Sequence, residues 1–190
     1  LGMAVDTGPN GANDGMCLCL VMPLMRGGSL SDRLILDGPA RVRLSKLPGT
    51  PVGGFEPLFW QQRLVVAVDA VRGLLFLHTP DADTHKPAIL HCDLKPSNIL
   101  LDLDGHARLA DMGLARARRS EAAHITTATS IAGTDGYLDE YYQSTGMFDE
   151  RADAYAVGVT LLVLLTGRRA VDPMRGHIIG QCDVNPSEVA

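Results

Sequence analysis

A chain of 190 residues that is 46% hydrophobic and 21% charged has ample apolar surface to bury, which excludes disorder as its main state. Its net charge is −5, and its basic residues form only short clusters such as Arg116, Arg118 and Arg119, so nucleic-acid binding is not expected. No apolar run reaches the roughly 18 residues of a membrane span. The longest, Ala156 to Leu165, has the length of a buried helix. Cys17, Cys19, Cys92 and Cys182 lack zinc-type spacing and are too few for a disulfide scaffold, which points to a reducing compartment.

Along the chain, Thr7 to Gly15 reads as a loop by its Gly, Asn and Asp content. Met16 to Met25 reads as a buried strand closed by Pro23. A short helix capped by Ser29 or Ser31 follows. Residues 37–57, rich in Pro and Gly, read as an irregular, exposed insertion. Leu58 to His78 has helical period, with Leu64, Val68, Val71 and Leu75 on one expected apolar face. Ala88 to Leu90 is a short strand. Ile99 to Leu101 and Ala107 to Leu109 flank Asp104-Gly105, a hairpin signal. Asp111 to Thr134 is polar and lacks clear periodicity. Arg151 to Thr166 is predicted to be a helix apolar nearly all round, closed by Gly167.

The chemistry-bearing residues cluster in His91-Cys92-Asp93-Leu94-Lys95-Pro96-Ser97-Asn98 and in Asp111-Met112-Gly113, thirteen residues after Asn98. Short strands on either side predict that Asp93, Asn98 and Asp111 converge. Such oxygens suit a hard divalent cation shared with phosphate, and a nearby Lys favours developing phosphoryl charge.

These residues resemble known motifs. HCDLKPSNILLD is similar to the protein-kinase catalytic loop, and DMG to its metal-binding D-F-G motif. Gly133 to Glu140 resembles the end of an activation segment, and Asp153-Ala154-Tyr155-Ala156-Val157-Gly158 the start of the buried large-lobe helix. The order and spacing resemble most closely the Pelle, interleukin-receptor-associated and plant receptor-like kinases, a group also matched by GGSLSDRL and VTLLVLLTGRRA.

The resemblance implies an α+β protein-kinase-like fold over residues 1–190. Residues 1–25 would supply the last small-lobe strands and the hinge, and residues 26–190 the large lobe. Asp93 would be the catalytic base, Lys95 would steady the γ-phosphate, and Thr134 would hydrogen-bond both. Asn98 and Asp111 would hold Mg²⁺. Met22 would be the gatekeeper, with the Pro23 carbonyl and the Met25 N–H facing adenine and Leu100 beneath it. Asp153 would brace the backbone at His91 and Cys92, and His91 would be structural. ATP and a protein Ser/Thr hydroxyl would be the substrates, in the cytoplasm or on the intracellular side of a membrane receptor.

Departures from the family pattern carry their own expectations. Cys92 replaces the Arg that pairs with an activation-loop phosphate, a non-RD arrangement. Thr126, Thr127, Thr129 and Ser130 would then be docking marks rather than an on-switch. Met112 replaces Phe, Asp139 replaces Pro, and Glu140 would lack its late-helix Arg. The only lysines, Lys46, Lys86 and Lys95, all lie beyond the hinge, and no G-x-G-x-x-G precedes it. The chain therefore reads as a piece of a longer kinase that is inactive by itself. The alternative is a pseudokinase serving as a binding scaffold. The histidines show no metal spacing, so no zinc is expected.

Overall fold

The computed structural model describes residues 2–6, 17–118, 125–126 and 131–181. The expected Thr7–Gly15 loop lies outside them, as do Arg119, His124, Thr127, Thr129, Ser130 and Cys182.

Strands β1 (Gly2–Asp6) and β2 (Cys17–Val21) pair antiparallel, with Cys17 opposite Asp6 and Cys19 opposite Ala4. An extended stretch through Pro23 leads to β3 (Gly28–Ser29) and helix α1 (Leu30–Ile35). The Ser29 hydroxyl accepts the Asp32 N–H at 3.1 Å, one of the first-turn donors that have no partner within the helix.

Residues 37–57 are not irregular throughout. They open with helix α2 (Gly38–Ser45), capped by the Asp37 carboxylate on the Ala40 N–H at 2.9 Å. Pro39 in the first turn lacks an N–H where none is needed. Ala40 and Leu44 are buried, and Phe55 folds back with its ring 4.2 Å from the Arg33 guanidinium carbon. High Pro and Gly content concealed a short helix whose single apolar pair leaves little periodic signal.

Helix α3 (Trp60–His78) forms where its periodicity indicated, but it buries a different stripe. Val66, Ala70, Leu74 and Leu77 face inward, while Leu64, Val68, Val71 and Leu75 are 43–64% exposed. The helix is apolar on more than one side. The buried stripe is the one whose small residues allow close approach: a Cβ on Gly73 would lie 3.0 Å from the Leu109 side chain.

Strand β4 (Ala88–Leu90) pairs antiparallel with β7 (Arg116–Arg118), placing Leu90 opposite Arg116. Strands β5 (Ile99–Leu101) and β6 (Ala107–Leu109) form the expected hairpin, and β3 joins β5. The Asp102 carboxylate closes its turn by accepting the N–H groups of Asp104 and His106 at 3.0 and 2.9 Å. Gly27 passes so close to this hairpin that a Cβ would sit 2.2 Å from the Asp102 carbonyl oxygen, so no larger residue fits.

Strand β8 (Ile125–Thr126) pairs with β9 (Met147–Phe148), after helix α4 (Glu140–Thr145). Helix α5 (Glu150–Thr166) runs from its Asp149 cap to Gly167, whose φ of 69° ends it in the left-handed conformation. Strands β10 (Val171–Asp172) and β11 (Gly176–His177) form a last small hairpin.

The main core joins α1, α3, the β5–β6 hairpin and α5 through Leu30, Val66, Ala70, Ile99, Leu101 and Leu164. Leu74, Leu94 and Ala156 form a cluster beneath the loop between β4 and β5. A third group packs Tyr142 edge-on against Phe148, ring centroids 4.9 Å apart, beside Leu90 and Ala152. No helix among the described residues is long and apolar enough to cross a membrane.

The inverted face of α3 is testable. Leu74→Ala should cost about 2–5 kcal/mol of stability by opening a cavity, whereas Leu75→Ala, at a 64% exposed position, should change it by less than about 0.5 kcal/mol. Urea unfolding of the two variants measures both; the reverse order would contradict the burial described.

Candidate active site

Strand β4 delivers His91, Cys92 and Asp93 to the end of the sheet, and a buried carboxylate then fixes the backbone there. Asp153, in the first turn of α5, is fully buried. Its Oδ2 accepts the His91 N–H at 2.8 Å and its Oδ1 the Cys92 N–H at 3.0 Å. These bonds hold Cys92 at a φ of 66°, a left-handed conformation uncommon outside glycine. The turn redirects the chain so that Asp93 points away from the core.

His78, at the end of α3, places Nε2 2.8 Å from the same Asp153 Oδ2. Spacing could not reveal this, since 75 residues separate the two. A His beside a carboxylate with no metal-like spacing gave no sequence signal. His91 is fully buried too. Its Nε2 lies 3.1 Å from the Ala110 carbonyl oxygen, and its Nδ1 lies 3.4 Å from the Asp93 N–H. The tautomer protonated at Nε2 satisfies both contacts.

The Asp93 carboxylate is the centre of a closed network. Lys95 Nζ donates to its Oδ2 at 2.7 Å and the Thr134 hydroxyl to its Oδ1 at 2.7 Å. Lys95 also donates to the Thr134 oxygen at 2.6 Å. Asn98 Nδ2 reaches Asp93 Oδ2 at 3.1 Å and the Asp93 carbonyl at 2.8 Å. Both Asn98 amide protons are thereby directed at Asp93, so its Oδ1 is turned the other way. That oxygen is 3.4 Å from the Ser97 hydroxyl.

Asp111 stands beside this network but outside its hydrogen bonds. The Ala110 N–H donates to the Asn98 carbonyl at 2.9 Å, which ties the two loops together. The Asp111 carboxylate is exposed and accepts the Gly113 N–H of its own turn at 3.3 Å, at a φ of 60°. The expected convergence is thus direct for Asp93 and Asn98 and only by backbone adjacency for Asp111. Met112 is 42% exposed.

The residues expected around adenine share a second cavity. Met22, Pro23, Met25 and Leu100 line a space of about 490 Å³ together with Leu24, Gly28 and Leu44.

The departures from the family pattern have physical outcomes. Asp139 becomes the cap of α4, accepting the Tyr142 N–H at 3.2 Å, so a charge at that position is used rather than tolerated. Glu140 is exposed and makes no ion pair among the described residues. Arg118 pairs with Glu150, which ties β7 to α5, while Arg116 is exposed. The Cys92 thiol is pushed up to about 12, first by burial and then by the charges of Asp153 and Asp93, with Arg116 opposing.

The family described as "Protein kinase domain" matches residues 12–186. A probable receptor-like protein kinase of Arabidopsis thaliana is 40% identical over 153 residues, covering 80% of this chain and 21% of the relative. Receptor-like kinase TMK2 of the same plant is 47% identical over 124 residues, covering 65% of the chain and 13% of the relative. A probable receptor-like serine/threonine-protein kinase, also from Arabidopsis thaliana, is 41% identical over 124 residues, 65% of the chain and 27% of the relative.

The chain belongs to the protein kinase domain family, with an α+β fold of that kind. Within the family it falls in the plant receptor-like group. It spans about an eighth to a quarter of the length of these relatives.

Two measurements test the site's construction. At pH 8 the Cys92 thiolate fraction should be about a thousandfold below that of an ordinary thiol at 9.0, because its own value is near 12. Above pH 9 the unfolded chain releases this proton and the folded chain keeps it, so the group's contribution to stability falls as pH rises. Peptide-mapped iodoacetamide labelling between pH 7 and 10 reads this; labelling of Cys92 at the rate of a free thiol would contradict it. Asp153→Ala strands the buried His91 N–H, at a cost of about 1–3 kcal/mol, and the part-buried Cys92 N–H. It should therefore lower the urea midpoint far more than Asp135→Ala, at an exposed turn position.

Proposed function

We propose that this chain carries the catalytic loop of a serine/threonine protein kinase, which transfers the γ-phosphate of ATP to a protein hydroxyl. The observation that carries the reading is the closed network of Asp93, Lys95, Thr134 and Asn98. Three donors converge on one carboxylate, and two of them, Lys95 and Thr134, line an open groove. Held this way, Asp93 has a fixed direction and retains lone pairs for a further hydroxyl.

In the proposed step the substrate Ser or Thr oxygen forms a bond to the γ-phosphorus. The bond from that phosphorus to the bridging oxygen of ADP breaks, and the hydroxyl proton passes to Asp93. Lys95, 2.7 Å from Asp93, places a positive charge where the transferring group gathers negative charge. Lysine two residues after the catalytic carboxylate, in D-L-K-P, supports Ser/Thr rather than Tyr as acceptor, as do the printed names of relatives.

The donor chemistry fits Mg²⁺. Asn98 offers an amide oxygen turned from Asp93, and Asp111 an exposed carboxylate. Bound there, the ion would neutralise phosphate charge. The cavity formed by Met22, Pro23, Met25 and Leu100 is the adenine site in this reading. Pro23 offers a carbonyl and Met25 an N–H, the two groups that a purine edge requires. The receptor-like names of the relatives support a kinase region acting in the cytoplasm.

In the full-length protein, Asp93→Asn should lower phosphotransfer roughly 10²–10⁴-fold while nucleotide affinity changes by less than about threefold. Asp111→Asn should weaken both. Radiolabelled transfer to a protein substrate and nucleotide titration separate the two effects. Unaltered transfer by Asp93→Asn would overturn the assignment. Nucleotide binding without any transfer by the wild type would favour the scaffold reading instead.

A further inference from the structure

A groove of about 610 Å³ runs outward from Lys95 and Thr134, between α1–α2 on one side and the end of α5 on the other. Its charges are unevenly committed. Lys95 is engaged by Asp93 and Thr134, and Arg43 by Asp32 at 3.1 Å. The acidic lining residues are occupied as well: Asp37 accepts the Ala40 N–H and Asp135 the Gly136 N–H, each at 2.9 Å. Arg168 and Arg169 line the same groove, are exposed, and have no side-chain hydrogen bond or ion pair among the described residues.

The simplest structural role for two arginines after a helix is to neutralise its carbonyl end. That role is already filled. Arg63 donates to the Leu164 carbonyl at 2.7 Å, the Gly167 N–H to Val163 at 2.8 Å, and the Thr166 hydroxyl to Leu162 at 2.6 Å.

The pair is also held in place from both ends. Gly167 ends α5 in a fixed left-handed turn. Ala170 is buried, and its carbonyl accepts the Ile178 N–H at 2.8 Å. Val171 packs on the Thr134 turn so closely that a Cβ on Gly136 would lie 2.5 Å from it. The two guanidinium groups are thus presented on a short anchored stretch that contacts the turn carrying Thr134, and their position relative to Asp93 is set by the fold.

We propose that Arg168 and Arg169 select protein substrates bearing an anionic side chain, a carboxylate or a phosphoryl group, near the acceptor Ser or Thr. The inference rests on the kinase reading above and adds the class of substrate. Planar guanidinium groups match both anions with paired N–H donors. The chain's overall charge of −5 opposes acidic partners, so a preference for them must come from a local site.

The test uses the full-length protein and fluorescent Ser-containing peptides whose flanking positions are Glu, phosphoserine, Gln or Lys. Anisotropy measures binding, and labelled ATP measures transfer. Glu peptides should bind about tenfold tighter than Gln peptides, and phosphoserine peptides tighter still if a phosphoryl group is the preferred anion. The double variant Arg168→Ala/Arg169→Ala should remove the preference, and Arg168→Lys/Arg169→Lys should keep part of it. Arg72→Ala/Arg108→Ala, which removes equal charge from exposed positions elsewhere, should leave it intact. Equal binding of Glu and Gln peptides, or a preference that survives the Ala pair, overturns the proposal. Acidic preference in binding without transfer upholds the groove and removes the kinase reading; transfer without acidic preference removes the groove inference alone.

Discussion

The arrangement depends on one buried carboxylate. Asp153 sits at 0% exposure and, among the described residues, accepts hydrogen bonds from two backbone N–H groups and the His78 ring. A buried charge without such partners is expensive, so the loop and the helix hold each other. The left-handed backbone at Cys92 is strained for a residue with a Cβ. It persists because Asp153 binds the His91 and Cys92 N–H groups that lead into the bend, and the His91 ring accepts the Asp93 N–H after it. Through that bend, the rigid α5 is coupled to the direction of Asp93.

The same economy appears one layer out. Asn98 spends its amide protons on Asp93 and its carbonyl on Ala110, so a single buried residue joins the Asp93 loop to the Asp111 loop. Thr134 bridges Asp93 and Lys95 from a segment about forty residues later, and Val171 of β10 packs against that segment at Gly136. The site is built from turns and short strands, and the Asp153 hydrogen bonds tie its first turn to α5. Beside it, burial keeps the Cys92 thiol neutral and packed over Leu90 and Tyr142.

Much of the site was legible because its residues lie in two short, ordered motifs. Asp93, Lys95 and Asn98 are within six positions of each other, and Thr134 stands in a recognisable G-T-x-G-Y run. The β5–β6 hairpin and the ends of α5 were legible from Asp104-Gly105 and Gly167, where local backbone preference decides the outcome. What the sequence hid was non-local. The buried face of α3 is chosen by which neighbours approach closely, so Ala70 and Gly73 mattered more than the larger Leu and Val residues opposite. Helix α2 was masked by prolines and glycines that flank it or sit in its first turn, where they do no harm. His78 reaches Asp153 only through the packing of α3 on α5.

The central claim is that Asp153 locks the turn which aims Asp93, and amide hydrogen exchange at that turn tests it most directly. The His91 and Cys92 N–H groups should exchange as slowly as Leu90 in the core strand, opening only with global unfolding. In Asp153→Asn, which keeps the shape and loses the charge, their protection should fall by more than that of Leu90. Fast exchange at His91 and Cys92 in the wild type, at the rate of the exposed Met174 turn, would contradict the account.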